Sequence, residues 1–218
     1  MEIYQIDFKN FTPETWTLCV YQVLPDSPGV ESVAWKQTTV PTHGESGIEW
    51  KVQYLVGIAN YKQTGGKGIY KATQKLGTDL GSAWKCVFED GVQQLKVDGS
   101  TTTGQILIKN QSNELANLAI GIDGEIALVK RAVYSGNNAQ FVVKPKYYVA
   151  LFKDLVKGEV INGNQIHGPL EVVFSGSKSR KSYVAKIDGD NFIFEEEDAN
   201  NSAVALYSQV QERMALLA

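Results

Sequence analysis

The residues that could supply acid–base or nucleophilic chemistry are few and scattered in this 218-residue chain. Its two histidines are His43 and His167. Glu45 and Ser46 follow His43 too closely for a Ser-His-Asp triad, whose members come from separate parts of a chain. The Gly-Glu-Ser-Gly string around Ser46 also lacks the Gly-x-Ser-x-Gly spacing of a nucleophile elbow. We therefore predict no catalytic residues and no enzyme activity, and we expect His43 to lie in a surface turn.

The cysteines favour packing over chemistry. Cys19 and Cys86 each lie inside an apolar, strand-like run, and two cysteines are too few for a disulfide scaffold. We expect two buried free thiols. A zinc site would need clustered cysteine and histidine ligands, and these residues are far apart in the sequence, so we predict no zinc.

A calcium loop is suggested by the segment that begins at Asp188, but the pattern fails. Phe192 stands where an oxygen ligand belongs, and Ala199 occupies the twelfth position, which glutamate normally holds. A hairpin turn followed by a strand is our first interpretation. A looser cation site among Asp188, Asp190 and the acidic cluster at Glu195 is the alternative. We predict no metal and no cofactor.

The run Gly65-Gly66-Lys67-Gly68 has the composition of a phosphate-binding loop without its sequence context. A Walker loop continues with Lys-Ser/Thr at the start of a helix. Here Ile69-Tyr70-Lys71 follows, which is typical of a strand. We predict an ordinary loop.

Aromatic side chains give the one hint of ligand binding. All four tryptophans lie in the first half of the chain. Large aromatics usually fill the core of a β-sandwich, and this is our first interpretation. The alternative is an exposed platform that binds a sugar or a lipid headgroup, with the tyrosines beside the glycine run as companions. Its candidate ligand-binding residues are Trp16, Trp35, Trp50, Tyr61 and Tyr70.

Strand patterns dominate residues 2–197. Apolar residues alternate with polar ones, as in Tyr4, Ile6 and Phe8, and Asp-Gly pairs mark hairpin turns. The class is all-β.

The halves of the chain also share a pattern, which indicates an internal duplication. We predict a fused β-sandwich of two diverged tandem repeats, residues 1–104 and 105–198, packed as one unit. The matched blocks are residues 6–12 with 106–112, 33–36 with 127–130, 51–56 with 144–149, 84–88 with 170–174 and 95–99 with 185–189.

Both repeats place a sequon-like triplet after the first strand, Asn10-Phe-Thr12 and Asn110-Gln-Ser112. We interpret the recurrence as a local turn in which the asparagine or hydroxyl side chain binds the backbone.

The C-terminal tail, residues 199–218, changes to helical spacing. Ser202 is a residue type favoured at an N-cap, and apolar residues recur after it at three- and four-residue steps. We predict an amphipathic α-helix that docks on its own chain or, alternatively, contacts a second subunit. A membrane surface is the weakest alternative, because Arg213 is the only cation on the helix. The predicted oligomer contacts are Leu206, Tyr207, Val210, Met214 and Leu217.

Charge and hydropathy exclude several classes. The formal net charge is −3 and neither half is basic, so nucleic acid is a poor candidate partner. The first residues lack the basic and apolar regions of a signal peptide, and no apolar run reaches the ~18 residues of a transmembrane helix. We expect cytoplasmic synthesis, with leaderless release left open.

Four segments carry a resemblance to a known family. They are Tyr4-Gln-Ile-Asp-Phe-Lys-Asn, Val20-Tyr-Gln-Val-Leu-Pro-Asp-Ser-Pro, Ser32-Val-Ala-Trp-Lys-Gln-Thr-Thr-Val-Pro and Ala59-Asn-Tyr-Lys-Gln-Thr-Gly-Gly. They resemble the rhizosphere-expressed protein A family of bacteria over most of residues 1–175. The resemblance implies a bacterial protein of host-associated or community life, with no active site to carry over. A fainter similarity, to aegerolysin-type cytolysins, concerns only the style of sandwich.

Together these patterns predict a non-catalytic structural or interaction protein that self-associates, as a dimer or a homopolymer. The tail helix and an exposed strand edge are the expected contacts. The alternative is a glycan- or lipid-binding module, including a cytolysin-like one.

Overall fold

The computed structural model describes residues 2–175 and 179–197, a part of the chain that contains seventeen β-strands. Period-two patterns produce them: in β5, Ile48 and Trp50 are buried between exposed neighbours. This confirms the all-β class. No helix among the described residues is long and apolar enough to cross a membrane. The strands are β1 Ile3–Asn10, β2 Trp16–Val23, β3 Val30–Ser32, β4 Lys36–Val40, β5 Glu45–Lys51, β6 Tyr54–Thr64, β7 Lys67–Gly77, β8 Ser82–Glu89, β9 Val92–Ser100, β10 Gln105–Asn110, β11 Ala116–Ile122, β12 Glu125–Val133, β13 Asn138–Val142, β14 Lys146–Phe152, β15 His167–Val172, β16 Arg180–Asp188 and β17 Asn191–Glu196.

The strands form four sheets that use one topology twice. The order β17-β16-β1-β5 of sheet I matches β9-β8-β10-β13 of sheet IV. The order β15-β14-β2-β4 of sheet II matches β7-β6-β11-β12 of sheet III, which carries β3 as an additional edge. The parallel pairs correspond as well, because β1 runs parallel to β16 and β10 to β8. Each sheet therefore contains strands from both halves of the chain.

This exchange of strands changes the predicted repeat alignment. Asn10 pairs with Ala185, and Asn110 pairs with Cys86. Cys86 is therefore equivalent to Ala185 and not to Val172, because β8 corresponds to β16 and not to β15. The blocks that begin at residues 6 and 51 keep their partners. The duplication itself and its bounds remain a prediction.

Sheet I packs on sheet II, and sheet IV packs on sheet III, so the strands make two sandwiches. One main core draws side chains from all four sheets. At its centre the rings of Trp35 and Trp50 lie 5.3 Å apart, and Tyr147 lies 5.6 Å from Trp50.

Residues 153–166, between β14 and β15, close sheet III on itself. We call this segment the strap. On one side of the strap, Gly158 N–H donates to Ala34 O and Ala34 N–H donates to Glu159 O. On the other side, Tyr70 N–H of β7 donates to Gly158 O. Residues 158–161 thus link the free edge of β3 to the free edge of β7, and the sheet becomes a ring of strands.

The interior of the closed sheet is a second, smaller core. It contains Val33, which follows β3, Ala119 of β11 and Val129 of β12, and Val160 of the strap packs against it. Its larger members are Leu55, Ile126 and Tyr70.

Candidate functional site

Five strands of the closed sheet each place one polar or aromatic side chain at the same end of its interior. We call this end of the sheet the mouth. It consists of Glu31 of β3, Tyr61 of β6, Tyr70 of β7, Asn117 of β11 and Arg131 of β12. Tyr70 belongs to the inner core. Each of the other four lies two residues along the chain from an inner-core side chain, so strand alternation turns it inward.

Tyr70 and Glu31 form the buried side of the mouth. Tyr70 is 2% exposed, and its hydroxyl donates a hydrogen bond to the Glu31 carboxylate. Burial and then the neighbouring carboxylate raise the pKa of Tyr70 above its ordinary value. The phenol therefore stays protonated and holds Glu31 in one orientation.

Tyr61 and Arg131 form the open side. The Tyr61 ring lies 5.0 Å from the Tyr70 ring, and the Arg131 guanidinium lies 3.8 Å above the Tyr61 centroid. This is a cation–π contact. Arg131 is exposed and pairs with no carboxylate among residues 2–175 and 179–197. Its N–H donors face solvent and are available to a ligand.

Asn117 fixes the rim beside Arg131. Its side-chain amide donates to Ala59 O at 3.0 Å and accepts from Ala132 N–H at 3.0 Å. The register of β11 with β12 shifts here, and Ala132 has φ of 51°. This bulge re-aims the neighbouring arginine toward the mouth, as bulges often do at functional positions. Sequence reasoning missed Glu31, Asn117 and Arg131, and no pattern within one strand would reveal a site that five strands share.

A buried carboxylate anchors the strap next to the mouth. Glu159 is 4% exposed, and its oxygens lie 3.2 Å from Lys67 Nζ, 2.8 Å from Asn164 Nδ2 and 3.0 Å from Val156 N. All these partners are donors, so the charge is compensated. Glu159 therefore holds the strap in place.

The alternative of an exposed tryptophan platform is wrong, because the three candidate tryptophans are buried. Trp16, Trp35 and Trp50 are 3%, 1% and 1% exposed, and all belong to the main core. They fill space between facing sheets, and the indole N–H of Trp35 donates to Ile122 O at 3.1 Å. Only the two tyrosines of that candidate set, Tyr61 and Tyr70, reach the mouth.

The glycine run is the tight turn between β6 and β7. Thr64 pairs with Lys67, so Gly65 and Gly66 are the two turn residues, with φ of 58° and 79°. Positive φ at both positions is typical of a type I′ hairpin. The turn brings the start of β7, with Lys67 and Tyr70, beside the end of β6.

The histidines do not meet. His43 is exposed in a turn with φ of 53°, as predicted. His167 stacks on Phe192 with ring centroids 3.6 Å apart, and its edge meets Trp16. Burial lowers the pKa of His167.

The structure separates the residues of the looser cation site, because Asp188 pairs with Asn191 beside the β16–β17 turn and Glu195 pairs with Val184 farther along the two strands. Gly189 and Asp190 form the turn, as the first interpretation predicted. No group of three or more candidate ligands comes together in the described part of the chain. Glu195 instead pairs with Lys186 at 2.7 Å.

Cys19 and Cys86 are buried free thiols, as predicted. The predicted oligomer contacts Leu206, Tyr207, Val210, Met214 and Leu217 lie outside the described residues, so the tail helix and its contacts stay predictions.

The fold and the mouth define the class: a two-sandwich all-β protein with one closed sheet and an open, polar, aromatic mouth. The RhiA family model matches residues 1–196, and the chain belongs to the RhiA family. No curated protein and no solved structure matches the chain. The family match confirms the resemblance to rhizosphere-expressed protein A, whereas the aegerolysin similarity stays a prediction.

Proposed function

We propose that this RhiA-family chain is a non-catalytic binding protein whose mouth takes an acidic, hydroxyl-rich carbohydrate. The observation that carries the proposal is the exposed Arg131 guanidinium, which lies 3.8 Å from the Tyr61 ring centroid and has no protein carboxylate partner among the described residues. Guanidinium groups bind carboxylates through two parallel hydrogen bonds. A ligand carboxylate would supply the missing partner.

The other mouth residues suit the uncharged part of such a ligand. Tyr61 and Tyr70 present an apolar ring surface with polar tips. Glu31 keeps one carboxylate oxygen beyond its bond with Tyr70, and Asn117 keeps the second hydrogen of its amide beyond its bond with Ala59 O, so each has one further hydrogen-bonding group at the rim. A few polar groups around an apolar surface are typical of small-molecule sites.

Binding is favoured over catalysis because the carboxylates near the mouth do not form a catalytic pair. Glycoside hydrolysis uses two carboxyl groups that flank the scissile bond. Glu31 accepts the Tyr70 hydroxyl through one oxygen, whereas Glu159 is buried and accepts three donors at the strap. Glu159 therefore cannot act as the second carboxyl group beside Glu31.

Isothermal titration with glucuronic acid and glucose tests the proposal. We expect wild type to prefer the acid, and Arg131→Ala to bind it about tenfold or more weakly, because one charge-assisted hydrogen-bond pair is lost. Arg131→Lys should fall between them. Lys144→Ala removes one exposed cation from the connection between β13 and β14, outside the mouth, and serves as the matched control. Equal binding of both sugars, or equal loss in Arg131→Ala and Lys144→Ala, would overturn the proposal.

A further inference from the structure

A second surface groove, in the other sandwich, lies beside the mouth. A groove of about 530 Å³ opens beside the first residues of the strap. We call it the threonine groove. Its lining residues are Glu14, Thr15, Thr17, Thr39, Phe152, Lys153, Asp154 and Leu155.

The threonine groove has hydrogen-bonding walls and an apolar floor. The hydroxyls of Thr17 and Thr39 lie 2.9 Å apart, and Thr39 is exposed. Asp154 is exposed at the opposite wall and pairs with no cation among the described residues. Phe152 and Leu155 are buried beneath them. Hydroxyls donate and accept while a carboxylate accepts, and this combination matches sugar hydroxyls.

Lys67 connects the groove to the mouth. Its ammonium group donates to the backbone carbonyl of Asp154 and pairs with Glu159 at 3.2 Å. Lys67 opens β7, the strand that carries Tyr70, and lies across the two-residue turn from β6, the strand that carries Tyr61. One hairpin therefore borders both surfaces.

The two surfaces also occupy related places in the repeated topology. Trp16 pairs with Val40 in the first sandwich, and Ala116 pairs with Val133 in the second. Trp16 and Ala116 therefore hold equivalent positions in the two sandwiches. The residues that follow them, Thr17 of the groove and Asn117 of the mouth, are counterparts. Two neighbouring surfaces, one with a free arginine and one with hydroxyls and a carboxylate, suit a ligand with one acidic unit followed by neutral units.

From these contacts we infer that the ligand is an oligosaccharide that lies across both surfaces, with one acidic unit in the mouth and neutral, hydroxyl-rich units in the threonine groove. This inference rests on the proposed function. Linked units make the second contact intramolecular, so affinity should rise with ligand length.

The test is a titration with oligosaccharides of one to four units in which one terminal unit is a uronic acid and the others are neutral sugars. Wild type should gain affinity by about tenfold or more between one unit and four. Thr39→Val and Asp154→Asn should lose that gain and keep the single-unit affinity. Thr102→Val, an exposed threonine outside the groove and the mouth, should behave as wild type. Amide shifts at Thr17 and Thr39 on adding four units, but not one unit, give a readout that needs no variant.

The outcomes separate the two claims. Binding of one unit with no gain from further units, or a gain that Thr39→Val and Asp154→Asn leave intact, overturns the extended ligand alone. Absence of binding at every length overturns the proposed function with it.

Discussion

At the scale of single residues, Asn10 and Asn110 show how much structure one buried side chain can organise. Both are fully buried. Asn10 donates to Glu14 O at 2.7 Å, and Asn110 donates to Glu114 O at 2.7 Å. Each also accepts a backbone N–H from the residue two positions later at 3.0 Å. The turn predicted at both triplets is confirmed, and it ends the first strand of each half in the same way.

Replacing Asn110 by alanine should leave carbonyl groups without donors. Asn110 Nδ2 also donates to Val133 O at 2.7 Å, so Asn110→Ala removes both donated bonds together with the bond accepted from Ser112 N–H. We expect the free energy of unfolding to fall by about 3 kcal/mol. Urea unfolding measures it. Asn138→Ala, at an exposed position, should change it by less than about 0.5 kcal/mol. Similar losses in the two variants would contradict the role of Asn110.

Buried phenols make the fold sensitive to alkali. Burial is the first cause that raises the pKa of Tyr4 and Tyr21 from 10.0 to about 12. The folded state therefore keeps protons that the unfolded state loses above pH 10.0. Stability from these groups is complete below that pH and is lost as pH rises toward about 12.

Circular dichroism and tyrosinate absorbance, followed together, check this dependence. We expect cooperative unfolding in the alkaline range, with tyrosine ionisation coupled to it. Tyr21→Phe, which keeps the ring without the ionisable group, should move the transition to higher pH. Full ionisation of the tyrosines with the fold intact would contradict the prediction.

At the scale of elements, the strap decides whether sheet III is open or closed. A Cβ added at Gly158 would lie 2.3 Å from Tyr70 O, too close for backbone atoms that cannot move apart. Gly158 also has φ of 80°. The closure therefore depends on this glycine both for conformation and for space.

Gly158→Ala should open the strap and expose the inner core. Gly163→Ala is the matched control, because Gly163 has φ of 88° but no atom within 4 Å of an added Cβ. We expect faster amide exchange at Tyr70 and Val160 in Gly158→Ala, and a loss of stability larger than in Gly163→Ala by about 2 kcal/mol. Equal effects would show that backbone strain, and not closure, is the cause.

Side chains cap one backbone N–H on each edge strand of sheet IV. Gln74 Oε1 accepts from Leu95 N–H of β9 at 2.7 Å, and Ser27 Oγ accepts from Val142 N–H of β13 at 2.8 Å. Capped edges pair poorly with another chain. These contacts disfavour β9 and β13 for edge pairing, so the edges of sheets I and II and the tail stay the expected contacts for self-association.

Element types were predictable, and their long-range partners were not. Alternation identified strands such as β5, and Gly65-Gly66 identified a turn, because both signals act over a few residues. The bridge between Val33 and Val160 joins residues far apart in sequence, and nothing local marks it. The mouth depends on that closure and on a bulge at Ala132, so Arg131 could not be found from the sequence.

At the scale of the whole molecule, the exchange of strands explains why the halves behave as one body. β1 of the first half pairs with β16 of the second, and β8 of the first pairs with β10 of the second. The sequence predicted one packed unit rather than two separate domains, because no linker joins the halves. Exchange itself was not foreseen, because similar repeats pair equally well within a half or between halves.

Self-association through the tail belongs to this scale and stays a prediction. Light scattering after size exclusion should show an assembly for the full chain and a monomer for the chain ending at Asn201, if the tail is a subunit contact. A monomer in both would contradict that contact. Unfolding of the shortened chain would instead favour docking of the tail on its own chain.

The most direct test of the central claim is a heteronuclear NMR titration of the full chain with glucuronic acid. The account predicts that amide and side-chain shifts cluster at the mouth, at Glu31, Tyr61, Tyr70, Asn117 and Arg131, and that Arg131→Ala needs about tenfold or more ligand to reach the same shifts. Shifts that cluster elsewhere, or none at saturating ligand, would contradict it.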